Sequence, residues 1–123
     1  MELREIRAQV LFQAGSDQEE LGEYLPHLRD YINDGYDRLM LAFRGVHVGM
    51  DQEYPPLEHD RSLPDLPAWA HSALADWATW MLYRSGSAQK QARGYAFRAS
   101  FEAVEARLRA ERDRGRYFVN IPN

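Results

Sequence analysis

At 123 residues the chain is long enough for one modest core, and with no cysteine it has no disulfide, thiolate metal ligand or cysteine nucleophile. A formal charge of −4 leaves no global basic footprint for nucleic acid, and no apolar run approaches the roughly 20 residues that span a bilayer. Frequent alanine, leucine and arginine, with few β-branched residues, predict an all-α protein, and the charged start Met1-Glu2-Leu3-Arg4-Glu5 predicts a chain made and folded in a cytoplasm rather than secreted.

Residues 2–13 read as a short helix with a Leu3, Ile6, Val10 stripe, ended by Gly15. Ser16 and Asp17 offer a cap for a short acidic piece that Gly22 and Pro26 interrupt. Pro26 then opens a long helix over residues 25–44, whose face is Leu28, Ile32, Leu39 and Phe43, with Gly35 and Tyr36 bridging the gap. Glycine inside a helix costs about 1 kcal/mol relative to alanine, so Gly35 predicts a close helix crossing. Asp30, Asp34, Asp37 and Arg38 form the wet face of this helix.

A connection of some twenty residues follows, GVHVGMDQEYPPLEHDRSLP, long for a compact domain. It holds His47, Asp51, Tyr54, Pro55 and His59, without a recognised metal-ligand spacing, and reads as a partner-facing loop, mobile in a free subunit and ordered by a neighbour. The stretch Asp65 to Gly86 carries all three tryptophans, Trp69, Trp77 and Trp80. Asp65 as cap and Pro67 in the first turn start a helix that is apolar on most sides, which predicts the central helix of the bundle.

The last helix is expected over residues 88–114. Phe97, Phe101, Val104 and Leu108 make its large apolar stripe, and Ala92, Ala96, Ala99, Ala103, Ala106 and Ala110 make a second stripe about 150° away. The alanine stripe predicts close approach of another helix, from this chain or a neighbouring subunit; good helix formers on a half-exposed face are the alternative. Gly115 is expected to release an extended arm, residues 116–123, in which Arg116, Tyr117, Phe118, Val119 and Ile121 dock on a partner or on the bundle itself. No phosphate loop, paired histidine motif or local Ser–His–Asp signature is present, and His71 reads as a satisfied core histidine or polar edge.

The expected architecture is thus a bundle of about four helices over residues 1–115, a long loop before the tryptophan-rich helix, and the arm. The order of these pieces, above all LPAWAHSALADWATWMLYRSGSAQKQARGYAFRASFEAV, resembles the small head–tail connector proteins of tailed bacteriophages and prophages, also called adaptor or head-completion proteins. The resemblance implies a non-catalytic structural subunit with no cofactor and no membrane association. It implies a ring, twelve-fold in register with a portal protein, at the neck of the virion and in contact with tail or stopper components, with DNA passing through the channel unread. A small cytoplasmic helical regulatory protein acting as a dimer is the competing reading, and an enzyme with its site in the 45–66 loop a third.

Overall fold

The computed structural model describes residues 1–50 and 52–119, the side chains of residues 116–119 excepted. Four helices make the fold: α1 (Leu3–Ala14), α2 (Leu28–Arg44), α3 (Ser72–Arg84) and α4 (Ala88–Val119), with short 3-10 turns at Gly15–Gln18, Gly22–His27 and Ala68–Ala70. The described residues contain no strand. The all-α bundle expected from the sequence is the architecture found.

α1 begins where the Glu2 amide donates to the Glu5 carboxylate at 2.9 Å, and it buries Leu3, Ile6 and Val10 completely. α2 ends at Gly45, whose φ of 71° is the left-handed conformation that glycine adopts without strain, and whose N–H donates to Leu41 O. α3 lies in the middle, packed against α1, α2 and α4, and every residue from Leu74 to Tyr83 is buried except Asp76, which is half-buried. An enclosed helix needs apolar residues on several sides, which is the pattern that set this stretch apart in the sequence.

Two glycines let neighbouring helices close on α3. A Cβ on Gly35 would stand 2.9 Å from Trp77 Cδ1, and one on Gly94 would stand 2.8 Å from Tyr83 Cβ and 2.9 Å from Trp80. The close crossing predicted at Gly35 is present, and Trp77 fills it. α3 and α4 run antiparallel through an aromatic ladder. Tyr83 stacks on Phe97, Trp80 on Tyr95, and Trp77 meets Phe101 at 4.7 Å between ring centroids. Of the expected core residues, Leu28, Ile32, Leu39, Leu74, Met81 and Leu108 are buried with Trp77 and Phe101, whereas Phe43 and Val104 are half-buried.

Three expectations change. The tryptophan helix does not start at Asp65: residues 68–70 form a 3-10 turn and α3 begins at Ser72. The Asp65 carboxylate instead takes the Arg44 guanidinium at 3.1 and 3.2 Å, a charged partner stronger than one orphan amide, while the Asp65 N–H donates to the Tyr36 hydroxyl. The last helix does not stop at Gly115. The backbone of Arg116, Tyr117, Phe118 and Val119 continues α4, so the arm is helical rather than extended there, and the boundary expected between residues 115 and 116 falls inside a helix. One glycine weakens a helix without breaking it, and Pro122 is the first residue that forbids one. Ile121 lies outside the described residues.

Third, the described part of the 45–66 loop is tied to its own bundle, where its order was expected to come from a neighbour. Asn33 accepts from the Leu57 N–H at 2.7 Å and donates to Leu57 O at 2.9 Å. The Leu3 and Arg4 amides of α1 donate to Ser62 O and Asp60 O. Leu57 and Leu66 are buried in the core.

Candidate functional site

The alanine stripe of α4 faces outward. Ala92, Ala96, Ala99, Ala103, Ala106 and Ala110 are all exposed, opposite the buried Phe101 and Leu108. This follows from helical spacing: steps of three and four keep both rows straight, about half a turn apart. Beside the stripe, Arg98 pairs with Glu102 at 2.7 Å and lies over Trp80, and Arg107 lies 3.7 Å above the Trp69 ring. Both arginines touch aromatic rings of the bundle yet stay largely exposed, so they flank the row of alanine methyl groups.

The predicted loop residues are divided among separate places. His47 is exposed, with Nδ1 3.1 Å from the Asp37 carboxylate, which also accepts from the Val48 N–H at 2.9 Å. Tyr54 and Pro55 line a cleft of about 280 Å3 with Tyr36, Leu63 and Asp65. His59 borders a larger cleft of about 610 Å3 between α2 and residues 56–59, with Arg29, Asp30, Asn33 and Glu58. Asp51 lies outside the described residues. Among the described residues, His47, the Tyr54–Pro55 pair and His59 stand at three separate places.

Two polar clusters hold the helices in register. Trp77 Nε1 donates to Asp34 at 2.8 Å, Arg38 lies 4.6 Å above the same ring, and the Arg38 fork meets the Glu105 carboxylate at 3.0 and 3.1 Å. The wet face of α2 is therefore used structurally at Asp34, Asp37 and Arg38. The second cluster centres on Asp17, which accepts from the Tyr83 hydroxyl at 2.6 Å and from Lys90 and Arg93 of α4. The Tyr83 hydrogen bond, then that of Lys90, holds the Asp17 carboxyl below its usual range. Burial, reinforced by Asp17, pushes the Tyr83 hydroxyl up to about 12. This hub was not legible in the sequence, because Asp17 and its partners are 66 to 76 positions apart.

His71 is buried and satisfied, as its place in the apolar helix suggested. Nε2 lies 2.8 Å from Leu66 O and Nδ1 lies 2.7 Å from the Met1 amine. Donation from Nε2 to the carbonyl leaves Nδ1 to accept, and burial holds the imidazole pKa below its ordinary value. Asn33, which clasps the loop through both of its amide atoms, is a structural anchor that the sequence reading passed over.

No helix among the described residues is long and apolar enough to cross a membrane. The chain matches no protein-family model, no characterised protein and no solved structure.

Proposed function

We propose that this chain is a head–tail connector subunit of a tailed bacteriophage or prophage, a structural virion protein without catalytic activity. Copies form a twelve-fold ring beneath the portal at the capsid vertex, joining head to tail at the neck after assembly in the host cytoplasm. DNA passes through the ring without sequence-specific contact.

The observation that carries this reading is the outer face of α4. Six exposed alanines in one row leave a flat helix side on which a neighbouring backbone can come close, and the rest of the bundle leaves that side uncovered. The resemblance of residues 66–104 to connector proteins supplies the identity of the assembly. Residues 116–123 are the segment proposed to reach the portal or an adjoining subunit, through Arg116, Tyr117, Phe118, Val119 and Ile121. The loop cleft at Tyr54 and Pro55 is the surface proposed for tail components.

The test is co-expression with a portal protein from the same genome, read by electron microscopy. Wild type is expected to add a ring to the portal. Ala99→Glu and Ala103→Arg, both at exposed positions, are expected to melt like wild type and to lose ring formation. Normal rings from both variants refute the α4 contact, and failure of wild type to join any portal refutes the connector reading.

A further inference from the structure

The cleft at Tyr54 and Pro55 is held open by contacts to α2. Arg44, the last residue of α2, takes the Asp65 carboxylate at 3.1 and 3.2 Å, and its guanidinium lies 5.7 Å from the centroid of the Tyr54 ring. The Gly49 N–H donates to Tyr54 O at 2.9 Å, and Asn33 clasps Leu57. Side chains fixed in this way before binding lose little entropy when an occupant arrives. Tyr54, Pro55, Pro56 and Leu63 supply the apolar surface. Leu63 is 63% exposed, a large aliphatic side chain that the bundle leaves uncovered at the edge of the cleft.

Three residues of the lining keep a hydrogen to donate. Tyr36 is buried, and its hydroxyl accepts from the Asp65 N–H at 2.9 Å, which leaves its own hydrogen without an acceptor among the described residues. Ser62 Oγ accepts from the His59 N–H at 3.0 Å and keeps its hydrogen in the same way. The Leu63 N–H has no partner among the described residues. The Asp65 carboxylate, by contrast, is already taken by Arg44. Donors without acceptors are met by an occupant that brings acceptors and few donors of its own. A proline-containing chain in extended form has that composition, since every residue offers a carbonyl and each proline lacks an N–H. The surrounding charge sets what flanks it. Residues 45–66 carry five Asp and Glu against one Arg, a charge of −4, of which Arg7 and Arg44 of the helices offset two. An acidic stretch of this kind favours a basic partner.

We propose that this cleft binds an extended, proline-containing segment of a partner protein, flanked by Lys or Arg. Main-chain carbonyls of the segment accept from the Tyr36 hydroxyl, the Ser62 hydroxyl and the Leu63 N–H, and a proline or aliphatic side chain lies among Tyr54, Pro55 and Leu63. Aromatic and proline side chains together make the kind of surface on which a preformed left-handed extended helix docks. The cleft, about 280 Å3, holds one or two side chains and excludes a helix about 10–12 Å across. The site is separate from the alanine row of α4, so a copy in contact with its neighbours through that row keeps the cleft for another molecule. This deepens the connector reading by giving the chemistry of the segment that a tail component presents, and it rests on that reading for the identity of the partner alone.

The test titrates the isotope-labelled full-length protein with two capped synthetic peptides and follows amide chemical shifts. Both peptides have an alternating leucine–proline core; one carries a pair of arginines at each end, the other a pair of glutamates. The arginine peptide is expected to give saturable shifts at Tyr54, Ser62, Leu63 and Asp65, and the glutamate peptide to bind about tenfold more weakly or less. Leu63→Ser and Tyr36→Phe are each expected to weaken the arginine peptide by about fivefold or more. Leu63 is exposed, so Leu63→Ser is expected to melt like wild type. Tyr36→Phe also removes the acceptor of the Asp65 N–H, so where it lowers the melting temperature Leu63→Ser decides alone. No saturable shift, shifts confined to other surfaces, equal affinity for the two peptides, or a Leu63→Ser variant that binds like wild type each overturns the site. Self-association of the free protein that the arginine peptide competes away makes a second copy the occupant and overturns the partner protein. The portal assay is scored separately: peptide binding by a protein that joins no portal refutes the connector reading alone, and portal attachment by a protein that binds neither peptide refutes this site alone.

Discussion

Trp77→Ala in combination with Gly35→Ala gives the sharpest check on the packing. Trp77 is 6% exposed, with Arg38 above its ring, Phe101 against it, and Asp34 accepting from Nε1. Truncation to alanine removes that contact area and leaves a cavity, at a cost of about 3–5 kcal/mol. Asp34 is exposed and regains water, so it adds little to that figure. In a domain of this size the melting temperature falls by about 10–20 °C. Gly35→Ala alone forces a Cβ to within 2.9 Å of Trp77 and costs about 1–3 kcal/mol in strain, against about 1 kcal/mol gained from helix propensity. With Trp77 already truncated the strain disappears and only the propensity gain remains. The same substitution is therefore destabilising in wild type and stabilising by up to about 1 kcal/mol in the Trp77→Ala background. Urea denaturation followed by circular dichroism on the four proteins reads this reversal. If Gly35→Ala has the same sign in both backgrounds, or Trp77→Ala costs less than about 1 kcal/mol, the close crossing is not what fixes the glycine.

Other consequences follow at separate sites. Asn33→Ala removes both bonds to Leu57, so hydrogen exchange at the Leu57 amide and its neighbours is expected to rise while α1, α3 and α4 stay protected; unchanged exchange would place the anchorage of the loop elsewhere. The Asp17 carboxyl titrates lower folded than unfolded, so its contribution is complete above about pH 4 and is lost as pH falls through the folded value. Tyr83→Phe deletes the largest cause of that shift, so the variant starts less stable at neutral pH and loses less on acidification, measurable as a flatter plot of unfolding free energy against pH between about 5 and 2. Deletion of residues 116–123 is expected to leave melting nearly unchanged and to abolish attachment to the portal; a deletion that unfolds the protein shows instead that this segment packs on its own bundle.

What could be read from the sequence is what local spacing controls. The rows Leu28, Ile32, Leu39 on α2 and Phe97, Phe101, Leu108 on α4 repeat at three and four, and repetition alone sets which face goes inward. Gly35 announced a close neighbour because a mid-helix glycine has a cost that something must offset. What escaped is what distant partners decide. Asp65 is a sound helix cap until Arg44 is placed beside it. Gly115 is a sound stop until the residues after it prove able to continue the helix. Leu57 and Leu66, in a stretch rich in proline and acid, gave no periodic sign that they belong to the core. The alanine row was legible as a second face; whether it turned inward or outward, and what covers it, was not, since methyl groups specify a distance of approach and no chemistry. The reading as a connector rests on resemblance in residue pattern, which no single motif of this chain could have replaced.

The three-residue link between α3 and α4, Ser85–Ser87, has a consequence for how the molecule forms. The aromatic ladder joins residues close in sequence at its turn, Tyr83 with Phe97 and Trp80 with Tyr95, so closing it costs little chain entropy. α1 and the 3-10 turn after it join the same two helices through contacts spanning more than sixty positions, at Gln13–Asp76, Asp17–Tyr83 and Asp17–Lys90. Local pairs form sooner than remote ones. The α3–α4 hairpin is therefore the nucleus on which α2 settles, and α1 closes the structure last. Substitutions at Phe97 or Tyr95 will slow folding, while those at Gln13 or Asp17 will mainly speed unfolding.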